Sequence, residues 1–188
     1  MTASTDGDYL IRAIRADEWA AVKRLRLVAL RDPLADIAFL ESYDDALGRP
    51  DSFYQERAAR SAAEPSDARQ FIAETADGEW AGTATMLIEE AGTMDWAGFP
   101  VERRQGHVVG VFVRPEHRGV GLVKALFDAG AQWARDRGAE RVRLLVHGEN
   151  PRAQGAYRKA GFVPSGVLVP FFKDEAETEV EFVLEWPA

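Results

Sequence analysis

Cysteine is absent from this sequence, and acidic residues outnumber basic ones. Without cysteine the chain can form neither a disulfide nor a thiolate nucleophile, and it cannot bind a metal through a thiolate. The formal net charge of −8 removes the basic surface that non-specific nucleic-acid binding requires, so we expect no nucleic-acid partner. The 3 histidines show no HExxH-like spacing, and we therefore expect no dedicated metal site.

Long hydrophobic segments are also missing. Apolar runs such as Val108–Val109 and Val111–Val113 are far shorter than the roughly 20 residues that a membrane helix needs. Residues 1–8 are polar and acidic, unlike the basic and then apolar beginning of a signal peptide, and we predict that they form a disordered tail. These features are compatible with a cytoplasmic protein that has no membrane partner, and we expect that location.

The 188 residues, 46% of them hydrophobic, suffice for a single domain, which we place at residues 9–188. Hairpin signals combined with strand–helix–strand units predict an α/β domain with a mixed sheet. Residues 32–51 contain several breakers and are predicted to be irregular. Periodicity and capping signals predict strands at 9–15, 70–76, 80–89, 106–113, 141–146, 162–169 and 180–185, and helices at 17–31, 52–63, 122–137 and 151–160.

A turn that contains two glycines joins a buried-type strand to a helix at Arg118–Gly121. In such a turn the unpaired backbone N–H groups point outward together and the helix dipole adds about half a positive charge, which favours a bound phosphate. Gly119 and Gly121 let the backbone approach an anion closely. The segment has neither a GxGxxG nor a GxxxxGK[ST] pattern, so by itself it predicts either an anion site or an ordinary loop.

A second pattern begins at Asn150. Asn150 is a favoured helix cap, and Pro151 is favoured at the first helical position. Tyr157 follows on the same helix, which Gly161 ends. Taken alone, these residues indicate a capped helix with an aromatic side chain that faces the core.

Together the two patterns, Arg118-Gly-Val-Gly121 and Asn150-x-x-Ala-x-x-x-Tyr157, resemble those of the GCN5-related N-acetyltransferase superfamily. The segment Arg24–Leu30 is also similar to the first helix of many small bacterial members. The resemblance implies a single-domain α/β fold whose mixed central sheet has about six or seven strands and is flanked by about four helices. One position departs from the family pattern: Val123 stands where the family has Gly or Ala, which puts the coenzyme affinity in doubt.

The resemblance further implies that acetyl-CoA is the co-substrate and lies between two central strands that splay apart. Its pantetheine would pair with the backbone of Val111, Phe112 and Val113, because splayed strands leave N–H and C=O groups without partners. A backbone N–H near Val111 or Phe112 would polarise the thioester carbonyl. The residues expected to hold the diphosphate or contact the coenzyme nearby are Arg118, Gly119, Val120, Gly121, Leu122, Val123 and Asn150.

Acetyl transfer to an amine needs a proton donor for the departing thiolate and an acceptor for the amine proton. Tyr157 is the candidate general acid, because a phenol with a pKa of about 10 can donate a hydrogen bond to a thiolate. His107 is a possible general base, since it stands about where histone-acetylating relatives carry a Glu; the alternative is a surface histidine at a strand start. Further candidates are His147 and Glu149, then Glu89 or Glu90, and a water chain could replace a dedicated base.

Acidic residues cluster in residues 32–51 and in the loop expected within the last hairpin, and both segments are predicted to border the acceptor site. These acids favour a cationic small amine with an apolar portion, and the alternative is a solvated rim. The acids are Asp32, Asp36, Glu41, Asp44, Asp45, Asp51, Asp174, Glu175, Glu177 and Glu179, and the apolar walls are Phe39, Tyr43, Trp96, Phe99, Phe171 and Phe172.

The sequence therefore predicts an acetyl-CoA-dependent N-acetyltransferase that acts on the primary amine of a small molecule. The amine would attack directly in a ternary complex, and a homodimer is a candidate assembly. Two alternatives stay open: a protein N-terminal or lysine acetyltransferase, and a non-catalytic acyl-CoA-binding domain.

Overall fold

The structure is a computed structural model that describes residues 3–5, 8–95 and 98–186. The strands in these ranges are β1 (Ala3–Thr5), β2 (Tyr9–Ala13), β3 (Ala68–Thr75), β4 (Trp80–Glu89), β5 (Gln105–Val113), β6 (Arg141–His147), β7 (Val163–Phe171) and β8 (Asp174–Glu185). The α-helices are α1 (Trp19–Ala29), α2 (Ala35–Ala38), α3 (Tyr43–Gly48), α4 (Asp51–Ala62), α5 (Leu122–Asp136) and α6 (Pro151–Lys159). Short 3-10 helices lie at Ala16–Glu18 and Pro115–His117.

The strands form one mixed sheet in the order β1-β2-β3-β4-β5-β6-β8-β7. Neighbouring strands are antiparallel except β5 and β6, which are parallel. This arrangement confirms the predicted α/β fold with a mixed sheet. None of the helices in the described ranges is long and apolar enough to cross a membrane.

Three segments differ from the sequence prediction. Residues 32–51 are not irregular, because they contain α2 and α3, which are too short to show a helical period. Ala3–Thr5, within the tail that the sequence predicts to be disordered, pair with Tyr9–Ile11 as an edge strand, because such pairing needs only backbone donors and acceptors. Residues 1, 2, 6 and 7 of that tail lie outside the described residues. The last strand begins at Asp174, so the acids expected in a loop lie on β8.

Two hydrophobic clusters cover the two faces of the sheet. On one face α5 and α6 pack around Leu126, Phe127, Phe162 and Phe182, all of which are at most 2% exposed. On the other face α1 and α4 pack over β3, around a cluster that includes Leu25, Tyr54 and Ile72. The helices thus cover both sides of the central strands, which is the layered arrangement that buries a mostly apolar sheet.

A buried cluster of charged side chains joins strands β4, β5, β6 and β8. Arg143 on β6 forms ion pairs with Glu89 at 2.9 Å, Asp95 at 2.7 Å and Glu181 at 3.3 Å. Nδ1 of His107 lies 2.8 Å from a carboxylate oxygen of Glu89. Burial alone would raise the pKa of Glu89, but the hydrogen bonds from His107 and Arg143 outweigh it and lower that pKa to about 2.

Gly106 on β5 is tightly enclosed, which yields a stability prediction. A Cβ at this position would lie 2.8 Å from Sδ of Met86 and 3.2 Å from Cβ of Ala134. We expect Gly106→Ala to lower the free energy of unfolding by about 1–3 kcal/mol because of overpacking. Gly155 in α6 is the matched control: its Cβ would meet nothing within 4 Å, and Gly155→Ala should raise the free energy of unfolding by about 0.4–1 kcal/mol. Urea unfolding measures both, and a Gly106→Ala protein as stable as the parent would contradict this packing.

Glu89 should make stability depend on acidic pH. Its pKa is lowered on folding from 4.5 to about 2, so its ionised form stabilises the fold above pH 4.5. This contribution, about 3 kcal/mol, is lost as the pH falls from about 4.5 to about 2. We therefore expect Glu89→Gln to be destabilised by about that amount at pH 7, with the difference shrinking in acid.

The control for Glu89 is Glu90→Gln. Glu90 pairs with Arg104 at 3.2 Å, and both side chains are substantially exposed, so its loss should cost less than about 1 kcal/mol. Urea unfolding of both variants between pH 7 and pH 2.5 makes the comparison. Equal losses in the two variants at pH 7 would contradict the stabilising role of the buried cluster.

Candidate active site

The parallel strands β5 and β6 pair at only two positions and then separate. Gly106 pairs with Val142 and His107 with Arg143. Beyond these pairs, Val108–Val113 and Leu144–His147 line a cleft of about 580 Å³. No described strand lies between the two segments, so their backbone N–H and C=O groups can hydrogen bond with a ligand.

A β-bulge interrupts the pairing of β5 with β4, beside the segment of β5 that lines the cleft. The pairing with β4 shifts between Thr83, opposite Phe112, and Thr85, opposite Val109, so that Gly110 and Val111 together oppose one residue. Gly110 has φ of 64°, a left-handed conformation that glycine adopts without strain. The bulge bends β5 where it leaves β6.

The glycine turn lies at one end of the cleft. Gly119 and Gly121 have φ of 83° and 87°, and a Cβ at either position would meet nothing within 4 Å. Gly121 is the N-cap of α5, and no side chain of the described residues caps this helix through a hydrogen bond. The first N–H groups of α5 therefore remain available to an anion.

Most of the residues that the sequence predicted for the coenzyme lie along this cleft. Val120 is the exception: it is absent from the lining, and 57% of its surface is exposed. The predicted residues that line the cleft are Val111, Phe112, Val113, Arg118, Gly119, Gly121, Leu122, Val123, Asn150 and Tyr157.

Asp32 connects the glycine turn to α6. Nη2 of Arg118 lies 2.5 Å from one carboxylate oxygen of Asp32, and Nη2 of Arg152 lies 3.1 Å from the other. Burial would raise the pKa of Asp32, but the backbone N–H of Leu34 and the two guanidinium groups outweigh it and hold that pKa below its usual range. Asp32, predicted among the acceptor-recognising acids, is therefore paired with two arginines at the cleft. A bound anion would compete with it for both.

Tyr157 projects from α6 into the cleft. Its ring packs against Phe127, with 5.4 Å between centroids. Asn150 caps α6 as predicted, since its side-chain oxygen accepts a hydrogen bond from the N–H of Ala153 at 3.1 Å. Burial raises the pKa of Tyr157 to about 12. No described residue hydrogen bonds with its hydroxyl, which leaves the O–H free to donate to a ligand.

The structure does not bring His107, the possible general base, to the cleft. His107 is only 2% exposed, is absent from the cleft lining and contacts Glu89 in the charged cluster. It is therefore not the alternative surface histidine either. The spacing in the sequence assigned His107 to β5 correctly but could not indicate that it lies where β5 still pairs with β6.

Among the other candidate bases only His147 lines the cleft. Glu89 belongs to the charged cluster, Glu90 pairs with Arg104, and Glu149 is exposed. The N–H of Glu149 donates to Nδ1 of His147 at 3.1 Å, so Nδ1 carries no proton. Nε2 of His147 lies 2.9 Å from Glu177, to which it donates.

Of the ten acids assigned to acceptor recognition, only Asp32 and Glu179 line the cleft. Glu179 is 8% exposed, and neither of its oxygens hydrogen bonds with a described residue. Burial raises the pKa of Glu179. The sequence assigned Glu179 to acceptor recognition but placed it in a loop rather than on β8, because only the pairing of β8 with β6 fixes the direction of its side chain.

Only some of the apolar residues that were predicted to border the acceptor site lie at the cleft. Phe39 lines the cleft, and Phe171 contacts the His147 ring edge to face at 4.7 Å. Phe99 and Phe172 are 43% and 70% exposed. Trp96 lies outside the described residues, and Tyr43 is absent from the lining, with its hydroxyl bonded to Arg31.

Known proteins resemble this chain in both sequence and fold. A mycothiol acetyltransferase from Saccharomonospora viridis is 41% identical over 92 residues, covering 49% of this chain and 29% of the relative. A streptothricin acetyltransferase from Streptomyces lavendulae is 33% identical over 104 residues, covering 55% and 49%. A GNAT-family acetyltransferase structure from Streptococcus pneumoniae superposes with a TM-score of 0.72 at 17% identity, covering 95% of this chain and 99% of that one.

The chain spans between 29% and 62% of the length of the first three curated relatives that it matches. The family model described as the acetyltransferase (GNAT) family matches residues 34–162, which include the splayed strands, the glycine turn and Tyr157. The chain therefore belongs to the GNAT acetyltransferase family.

Proposed function

We propose that this protein transfers the acetyl group of acetyl-CoA to the primary amine of a small molecule by direct attack in a ternary complex. The observation that carries the proposal is the cleft between β5 and β6. It offers unpaired strand backbone along its walls, the open N-terminus of α5 at one end and a free tyrosine hydroxyl at its side. A ligand with an extended amide-bearing arm and a diphosphate matches these three features.

The residues along the cleft fit acetyl-CoA, which when bound supplies the acetyl group as an activated thioester. The backbone of Val111, Phe112 and Val113 can pair with the pantetheine arm as a neighbouring strand would. The N–H groups of the turn at Gly119–Val123 can hold the diphosphate. Val123 is bulkier than the family's Gly or Ala, but these N–H donors belong to the backbone and do not depend on its side chain.

Tyr157 would serve as a hydrogen-bond donor to the departing sulfur. The pKa of Tyr157 is about 12, and that of the coenzyme thiol is about 8.5. Complete transfer of the proton from Tyr157 to the thiolate would therefore cost about 5 kcal/mol of free energy. A hydrogen bond that strengthens as charge develops on sulfur has no such cost. Burial therefore favours donation by Tyr157 over full transfer, and it keeps the phenol protonated throughout the physiological pH range.

The acceptor is proposed to be a small cationic amine with an apolar portion. Support comes from Glu179, a carboxylate on the cleft wall, and from Phe39, an apolar side chain on the same wall. Two relatives carry the names mycothiol acetyltransferase and streptothricin acetyltransferase, which supports a small-molecule acceptor. A cytoplasmic location and a homodimer remain predictions.

Calorimetric titration with acetyl-CoA, followed by an assay of thiol release with a panel of primary amines, tests the proposal. We expect saturable binding and thiol release with small cationic amines. Release only with peptides would favour the protein acetyltransferase alternative, and binding without release would favour the non-catalytic domain. A titration without heat at several temperatures would overturn coenzyme binding altogether.

Tyr157→Phe provides a sharper prediction. The variant should bind acetyl-CoA as tightly as the parent but lower kcat by about 100-fold, since it lacks only the donor to sulfur. The parent should show no alkaline loss from this group at assay pH, because its pKa of about 12 lies above that range. Tyr43→Phe is the control, because that hydroxyl bonds to Arg31 and Tyr43 does not line the cleft. An unchanged kcat in Tyr157→Phe would remove Tyr157 from the reaction.

A further inference from the structure

Glu179 is a buried carboxylate without a partner, and it lies on the wall of the cleft. It is 8% exposed, and its Oε2 is completely buried with no hydrogen-bond partner among the described residues. A buried polar group that lacks a partner costs free energy in the folded protein. Such a cost is expected where a side chain is held ready for a ligand.

Strand register shows which face of the sheet Glu179 occupies. On β8, Val180 pairs with Val146 and Phe182 pairs with Leu144 of β6. These four residues pack in the cluster that α5 covers. Because side chains alternate along a strand, Glu179 projects to the opposite face, beside its cross-strand partner His147.

Tyr157 approaches the cleft from the other face. Its ring packs on Phe127 of α5 and lies 6.5 Å from Phe182 between centroids. Glu179 and Tyr157 therefore reach the cleft from opposite faces of the sheet. This separation suits a reaction in which one group receives a proton from the incoming nucleophile and another group serves the leaving group.

We propose that Glu179 is the general base that accepts a proton from the acceptor ammonium, and that its carboxylate selects primary ammonium compounds. The inference rests on the proposed acetyl transfer and adds to it the proton acceptor and the charge class of the substrate. It assigns this role to a β8 residue rather than to His107 on β5.

The proton balance of the step is complete with the groups named. The ammonium gives one proton to Glu179, which passes it to solvent, and the neutral amine nitrogen bonds to the acetyl carbon as the carbon–sulfur bond breaks. The sulfur leaves as a thiolate that accepts a hydrogen bond from Tyr157, and it then takes a proton from solvent to become the thiol. The nitrogen loses its second proton to solvent, so that one proton is released for each acetyl group transferred.

The polar residues around Glu179 are bonded to other partners, which leaves its carboxylate available to a ligand. His147 on β6 accepts the N–H of Glu149 at Nδ1, and its Nε2 hydrogen bonds with Glu177 rather than with Glu179. Glu181, on the same face of β8, is paired with Arg143. Val169 on β7 pairs with Glu179, and Phe171 contacts His147 on the same side. His147 acts to lower the pKa of Glu179, but burial outweighs it. Among the described residues no side chain forms an ion pair with Glu179, so an ammonium group can serve as its counter-ion.

The raised pKa of Glu179 improves its match to an amine, which has a pKa of about 10. It also fixes the sign of a stability effect. Because the folded protein holds this proton more tightly than the unfolded chain does, stability falls as the pH rises from about 4.5 through the folded pKa. Removing the charge should abolish that decline.

The test compares Glu179→Gln with Glu149→Gln, an exposed carboxylate that does not line the cleft. Both variants and the parent are assayed with the fastest amine of the panel and with hydroxylamine, whose nitrogen is already neutral at pH 7. With the alkylamine, Glu179→Gln should lower kcat about 100- to 1000-fold and lose the acid limb of the pH profile. With hydroxylamine, after subtraction of the uncatalysed rate, it should stay within about 3-fold of the parent. Glu149→Gln should match the parent throughout.

Two further measurements separate the possible failures. Acetyl-CoA titration of Glu179→Gln should give the parent's Kd, and urea unfolding at pH 8 should show the variant to be more stable than the parent. Equal loss with both nucleophiles, or lower stability, would mean a structural role and overturn the inference. Unchanged turnover with the alkylamine would overturn Glu179 alone, whereas a parent that binds no acetyl-CoA would overturn the proposed function as well.

Discussion

The functional architecture depends on a pairing that β5 and β6 do not make. Parallel neighbours in a sheet normally continue their hydrogen bonds, and each backbone group left buried without a partner costs about 1–3 kcal/mol. Here the pairing ends after His107, where the bulge at Gly110 bends β5 away and the Arg143 cluster fastens the strands just before they part. The separation of β5 from β6 is thus fixed by the backbone conformation of the bulge on β5 and by the buried ion pairs next to the last paired residues. A ligand with its own backbone-like donors and acceptors can complete the sheet.

The cleft is polarised along its length although the chain as a whole is acidic. At the end near α5 stand the open helix N-terminus, Arg118 and Arg152, all suited to an anion. Asp32 pairs with both arginines, and in the proposed reaction a diphosphate would replace one anionic partner by another. The wall near β8 carries Glu179 and suits a cation. The two ends of the cleft therefore suit ligand groups of opposite charge.

Local signals in the sequence predicted the parts of the site that depend on local structure. Gly119, Gly121 and the Asn150 cap specify backbone conformations within a few residues of themselves, and each lies where predicted. The burial of His107 in the charged cluster and the position of Glu179 on β8 were not predicted, because both depend on strand pairing, and a shift of one residue in register turns a side chain to the other face. The short helices α2 and α3 were not predicted for a different reason: four and six residues do not span enough turns to show a helical period of hydrophobic residues.

The contrast between Glu179 and Glu181 is the strongest argument that the cleft is built for chemistry as well as for binding. The two carboxylates lie on the same face of one strand and are similarly buried, at 8% and 5% exposure. Glu181 has Arg143 as a partner, which is how a buried charge is normally stabilised, whereas Oε2 of Glu179 has no partner within the part of the chain that the structure describes. The chain would fold at a lower free-energy cost with glutamine or an apolar residue at position 179, because neither brings a charge into the interior. A buried carboxylate that lowers the stability of the fold is typical of a functional site, where packing and stability are not optimised.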